Sequence, residues 1–176
     1  LNNINYKSFY HACNNVKPSL IRTNADELTY HLHVLIRYEI EKGLIEGSIS
    51  VSDLPLIWNK KYDKYLGIKV TNDSMGVLQD IHWSHGSFGY FPTYTLGSFY
   101  AAQFYNQASS EISNINSKIE NGNTKELLEW LRKNIHHHGE RYDAKDLCIK
   151  ITGEELNFKY FMDYAKNKYS KIYNLD

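Results

Sequence analysis

The sequence predicts an all-α, multi-helical fold, and three observations carry that prediction. Apolar residues recur every three or four positions through most of the 176-residue chain. Gly occurs ten times and Pro three times, too seldom for a sandwich of short strands joined by tight turns. Residues suited to cap helices stand just before several of the periodic runs.

Residues 5–15 read as a short helix, closed by Asn14-Asn15 and the turn before Pro18. A long helix is expected from Asn24, with Asn24 as N-cap and Glu27 completing a capping box. Leu28, Leu32, Leu35, Ile36, Ile40 and Leu44 follow at helical spacing, and Gly47 ends the run. Ser52 and Asp53 can open the next helix, where Pro55 is tolerated in the first turn and Trp58, Tyr62 and Leu66 face inward. Gly67 to Tyr94 is the least regular stretch. Helix is expected again from Thr95 to about Ile115, and from Leu127 to His138 behind an Asn123-Thr124 cap. Two more are expected near Ala144–Ile151 and Phe158–Tyr173.

Composition narrows the function classes. Twenty basic residues cancel twenty acidic ones, which gives no general electrostatic reason to expect nucleic acid or an anionic membrane as partner. No apolar run approaches the ~20 residues of a spanning helix, and no secretory leader pattern opens the chain. Two widely separated cysteines, Cys13 and Cys148, fit a reducing cytoplasm better than a disulfide scaffold. The chain opens on Leu1, consistent with an excerpt of a longer protein. Aromatic residues are abundant, with 15 Tyr, 7 Phe and 3 Trp, many of them between Phe88 and Tyr105.

Eight histidines invite a metal reading, but their spacing argues against it. His31 and His33 lie two apart on a helix and point to different faces, one expected buried and one solvated. His136, His137 and His138 at a helix end read as cations set against the helix dipole. No HExxH or CxxC occurs.

Two constellations remain. In Ile21-Arg22-Thr23-Asn24-Ala25-Asp26-Glu27, Arg22 stands at a helix start, where its guanidinium can either grip a ligand carboxylate or pair with a nearby acid. In the run from Gly76 to Tyr94, Gln79, Asp80, His82, Trp83, Tyr90 and Tyr94 are interleaved with glycines. Such a run can floor a pocket and place a His or Tyr against a developing oxyanion, or it can be an aromatic packing corner. Asp80, His82 and Ser84 do not make a triad, because near-adjacent residues rarely converge in that geometry.

IRTNADELTY (residues 21–30) resembles the I-R-x-x-A-D signature of the thermostable carboxypeptidase family of metallopeptidases. GVLQDIHW (76–83) resembles that family's G-x-x-Q-D-x-H-W signature, and SHGSFGYFPTYTLGSFYAAQFY, WLRKNIHHHGERYDAKDL and ITGEEL are similar to family sequence as well. The resemblance implies that residues 1–176 are a single C-terminal helical portion of a gluzincin-like metallocarboxypeptidase, with an active-site loop region near 67–94. It implies removal of C-terminal amino acids from peptides with one divalent metal, commonly zinc, with cobalt or manganese also serving. The metal ligands of the family, an HExxH helix and a downstream Glu, belong to an N-terminal half that this chain lacks. No metal is therefore expected on this chain, and the chain alone is expected to be inactive. By the same resemblance Arg22 is the clamp on the substrate carboxylate and His82 the signature histidine. Tyr94, or Tyr90, is the phenol that faces the oxyanion, and Asp80 and Gln79 support His82. A homodimer is implied too. A non-catalytic helical interaction module and one subunit of a split peptidase are the alternatives.

Overall fold

The computed structural model describes residues 5–175. Among these residues eight α-helices follow one another: α1 (Tyr6–Cys13), α2 (Tyr30–Ile45), α3 (Leu54–Leu66), α4 (Phe91–Glu111), α5 (Ile115–Glu120), α6 (Lys125–Asn134), α7 (Ala144–Thr152) and α8 (Lys159–Tyr173). Among the described residues there is no strand, so the all-α expectation holds. No helix among them is long and apolar enough to cross a membrane. The chain divides into two compact units, with the division after Thr95, inside α4.

In the first unit α2 packs on α3. Ile36 and Ile40 meet Trp58, Tyr62 and Leu66, all buried, as the periodicity of both helices requires. Leu20, Leu32, Val70, Val77 and Trp83 close over this core. Pro55 sits in the first turn of α3, where a missing N–H costs nothing.

The start of α2 differs from the expected Asn24/Glu27 capping box. Arg22–Asn24 form a 3₁₀ turn, Ala25 is extended, and the α-helix begins only at Tyr30. Asp26 is the reason. Its carboxylate accepts from the Leu28 and Thr29 amides (2.9 Å each), the Thr29 hydroxyl (2.7 Å) and the Lys17 amide (3.0 Å), which fixes a turn where a helix would otherwise continue.

In the second unit Ala108 and Ile112 pack with Ile115 and Trp130, and Trp130 Nε1 donates to Glu111 Oε2 at 2.6 Å. Gln103, almost fully buried, donates to Thr152 Oγ1 and the Glu155 carbonyl and accepts from the Asn157 amide. Phe161, Ala165, Tyr169 and Ile172 line the buried face of α8. The expected helix to Ile115 stops at Glu111, because Asn114 adopts a left-handed backbone (φ 56°) and α5 starts anew after it. α4 also starts four residues before Thr95, with Pro92 in its first turn.

The histidine run corrects a second expectation. α6 ends at Asn134, and His136–His138 form a separate 3₁₀ turn after Ile135 breaks the helix. Burial and the neighbouring cations Lys150, His137 and Arg141 push the His138 pKa down, the opposite of a cation favoured by a helix end.

Candidate functional site

One face of α2 carries polar side chains at i, i+4 spacing: His33, Arg37 and Glu41, all buried. The loop between α3 and α4 folds onto this stripe. Gly76 permits that, since a Cβ there would lie 2.8 Å from Val70 Cγ1 and 3.2 Å from the Asn72 carbonyl. The turn it closes delivers Gln79 and Asp80 to α2.

Gln79 is fully used. Its Oε1 accepts from the Arg22 amide and Arg37 Nη2 (2.9 Å each), and its Nε2 donates to the carbonyls of Leu20 and Met75. Asp80 is divided between two guanidinium groups. Oδ1 accepts from Arg22 Nε (3.1 Å) and Nη2 (2.8 Å), while Oδ2 lies 2.7 Å from Arg37 Nε and 2.6 Å from Nη2. Burial alone would raise the Asp80 pKa, but bonds and charge from both arginines hold it below the usual carboxylate range.

Arg37 has no exposure and Arg22 has 9%. Arg37 also donates to the His33 carbonyl at 2.7 Å and lies over the rings of Trp58 and Phe91. Arg22 donates to Tyr30 Oη at 3.1 Å and faces the rings of Tyr94 (5.1 Å), Phe91 and Tyr30. Three of the five Arg22 N–H groups are taken, which leaves one on each terminal nitrogen. Two guanidinium groups and one carboxylate leave this cluster with a surplus positive charge.

His82 adjoins it. Its Nε2 is 3.1 Å from Tyr94 Oη, its ring lies 4.3 Å from that of Phe91, and Tyr90 stands beside both His82 and Tyr94. Burial and the two arginines lower the His82 pKa against the opposing pull of Asp80, so the neutral imidazole is favoured near pH 7. A neutral His82–Tyr94 pair can present a hydrogen-bond donor to an oxyanion.

All six candidate residues, Arg22, Gln79, Asp80, His82, Tyr90 and Tyr94, therefore lie in one neighbourhood of the first unit. The arrangement differs from expectation in one respect. Asp80 and Gln79 were expected to fix His82, but Asp80 Oδ1 is 4.0 Å from His82 Nδ1 and Gln79 spends its groups elsewhere. Two guanidinium donors outcompete a neutral imidazole for the carboxylate. Ser84 takes no part, since its hydroxyl donates to the Ile81 carbonyl.

Sequence reasoning passed over Arg37 and Glu41. Glu41 accepts from Trp83 Nε1 (2.8 Å) and the Gly89 amide (3.1 Å) and so pins the loop on both sides of His85. The signal was available: positions 33, 37 and 41 run alongside the buried Ile36 and Ile40. Of His31 and His33, expected to be one buried and one solvated, His33 is buried and His31 is half-buried, with Nδ1 3.0 Å from Thr95 Oγ1.

Among the described residues no group of three or more His, Cys, Asp or Glu is placed to hold a metal ion. The side chains gathered at this site, two arginines, one carboxylate already shared between them, an amide, two phenols and one imidazole, suit an anion and not a divalent cation.

The sequence profile described as Carboxypeptidase Taq (M32) metallopeptidase matches residues 1–169. Carboxypeptidase 1 of Bacillus subtilis (strain 168) is 47% identical over 172 residues, covering 98% of this chain and 34% of the relative. A solved structure of a protein called CHT is 60% identical, with a TM-score of 0.93, over 96% of this chain and 34% of that one. The M32 carboxypeptidase of Deinococcus radiodurans R1 is 36% identical with a TM-score of 0.95, over 99% of this chain and 35% of that structure. The chain thus spans about a third of the length of the relatives it matches. A match along nearly the whole chain, shared by sequence and fold and carrying both signature segments, shows that it belongs to the Carboxypeptidase Taq (M32) metallopeptidase family.

Proposed function

We propose that this chain is the substrate-binding portion of a metal-dependent carboxypeptidase, holding the C-terminal carboxylate of a peptide and contacting the oxyanion formed at its last peptide bond. The observation that carries the reading is the surplus positive charge of the Arg22–Asp80–Arg37 cluster beside the His82–Tyr94 pair. An exopeptidase must measure the distance from a terminal carboxylate to the scissile bond, and a fixed guanidinium does that. Arg22 supplies the two free N–H groups for the carboxylate. Tyr94, held by His82, donates to the carbonyl oxygen as it gains charge, and Tyr90 walls the same space.

The reading places the divalent metal, zinc, on an N-terminal half outside this chain, as the family resemblance implies. The cytoplasm as compartment is supported by two free thiols, Cys13 and Cys148, and the homodimer by the family resemblance alone.

The test uses the peptidase that contains this chain as its C-terminal part. Replacing Arg22 with Ala should lower kcat/KM for a peptide with a free C-terminus about 100-fold, while the same peptide ending in an amide loses little. An unchanged preference for the free acid would end the proposal.

A further inference from the structure

The cluster contains more buried charge than a stable fold requires. Asp80 could be neutralised by Arg22 alone, yet a second guanidinium with no exposure shares it. Burying an extra cation is costly, and an apolar side chain of similar size commonly serves stability as well or better. Packing therefore does not account for Arg37.

Its bonds suggest what does. Arg37 reaches Arg22 by two routes. Through Gln79 Oε1 it is tied to the Arg22 amide, and through Asp80 it is tied to the Arg22 side chain. By occupying Oδ2 it confines Arg22 Nε and Nη2 to Oδ1. Without Arg37, both Asp80 oxygens would be open to Arg22, which could turn to a side-by-side pairing through the same two N–H groups; that would re-aim its two remaining N–H groups and leave the pair with no net charge. Arg37 is itself fixed by the His33 carbonyl and the Trp58 ring, 4.6 Å from its guanidinium carbon.

We propose that Arg37 is a positioning residue of this site, whose buried fork holds Asp80 and Gln79 so that the free pair of N–H groups on Arg22 stays aimed, with surplus positive charge behind it, at a terminal carboxylate. The inference rests on the reading of Arg22 given above, and the experiment separates the two.

Steady-state kinetics of the peptidase containing this chain would be measured for the wild type and for Arg37→Met, Arg37→Lys and Arg22→Ala. Each would be given one peptide as its free acid and as its amide, with thermal melts alongside. For Arg37→Met, KM for the acid should rise on the order of tenfold with kcat changing less, and KM for the amide should stay put. Arg37→Lys, which keeps the charge and loses the fork, should fall between Arg37→Met and wild type. If Arg22→Ala erases acid-over-amide preference while folded Arg37→Met retains it in full, the positioning role is overturned and the Arg22 reading stands. If Arg22→Ala itself retains the preference, both fall. Should Arg37→Met fail to fold, Arg37→Lys decides alone: a raised KM confined to the acid supports the role, and wild-type values for both substrates overturn it.

Discussion

Arg37 and Glu41, one helical turn apart on α2, hold successive parts of the segment that carries His82. Arg37 grips Gln79 and Asp80 before the histidine, and Glu41 grips Trp83 and Gly89 after it. An irregular loop of glycines and aromatics is thereby referred to a rigid helix, which is how a loop can place an imidazole to within a fraction of an ångström.

Glu41→Gln should loosen the later part of that loop. An amide oxygen can accept from only part of the pair of donors, and the new NH₂ confronts the other. We expect a destabilisation of about 1–3 kcal/mol in urea unfolding, with the Trp83 indole N–H exchanging faster with solvent. Unaltered exchange of that proton would show that the loop does not depend on Glu41.

Stability should fall as the solution is acidified from neutrality, and His33 should supply a measurable part of the fall. Burial and then the charges of Arg37 and Arg22 lower its pKa from 6.5 to about 4. Between those values the unfolded chain takes up a proton that the folded chain refuses, so the folded state loses ground as pH drops through the window. The His33 contribution amounts to roughly 3 kcal/mol at most. His31 and His82 shift in the same direction, and Asp80, whose pKa is lowered, continues the decline below about 4. Urea titrations of wild type and His33→Gln at several pH values isolate the term. A gap between the two proteins that does not vary with pH would refute it.

Gly76→Ala tests how tightly the loop is drawn. The added methyl meets Val70 Cγ1 at 2.8 Å, a stiff β-branched side chain, and should cost about 1–3 kcal/mol. Val70→Ala in the same chain should return part of that loss. A double variant no more stable than Gly76→Ala would place the strain elsewhere, at the Asn72 carbonyl.

The helical class was legible because burial leaves a periodic trace: Trp58, Tyr62 and Leu66 face inward as their spacing says. The first turns were less legible. Asn24 is a sound cap on paper, but Asp26 two residues later accepts three local bonds and wins. Arg22, Gln79, Asp80 and His82 could be named from the two signature segments and Tyr90 and Tyr94 from the aromatic run that follows, whereas their partners could not. Which group Asp80 would bond depends on α2 lying against the loop, a contact between residues 43 apart in the chain that no local pattern announces. Arg37 was overlooked for a related reason, since a basic residue within a helix ordinarily faces water.

The enclosure of Arg37 between Trp58 and Phe91 has an electrostatic corollary. Dissolved ions damp the attraction between exposed charges over ~8 Å at physiological ionic strength. None can gather around a guanidinium sealed beneath indole and phenyl rings. The field it casts on Arg22 is accordingly a fixed property of the fold, much the same in brine as in dilute buffer, where a grip built from surface lysines would fade.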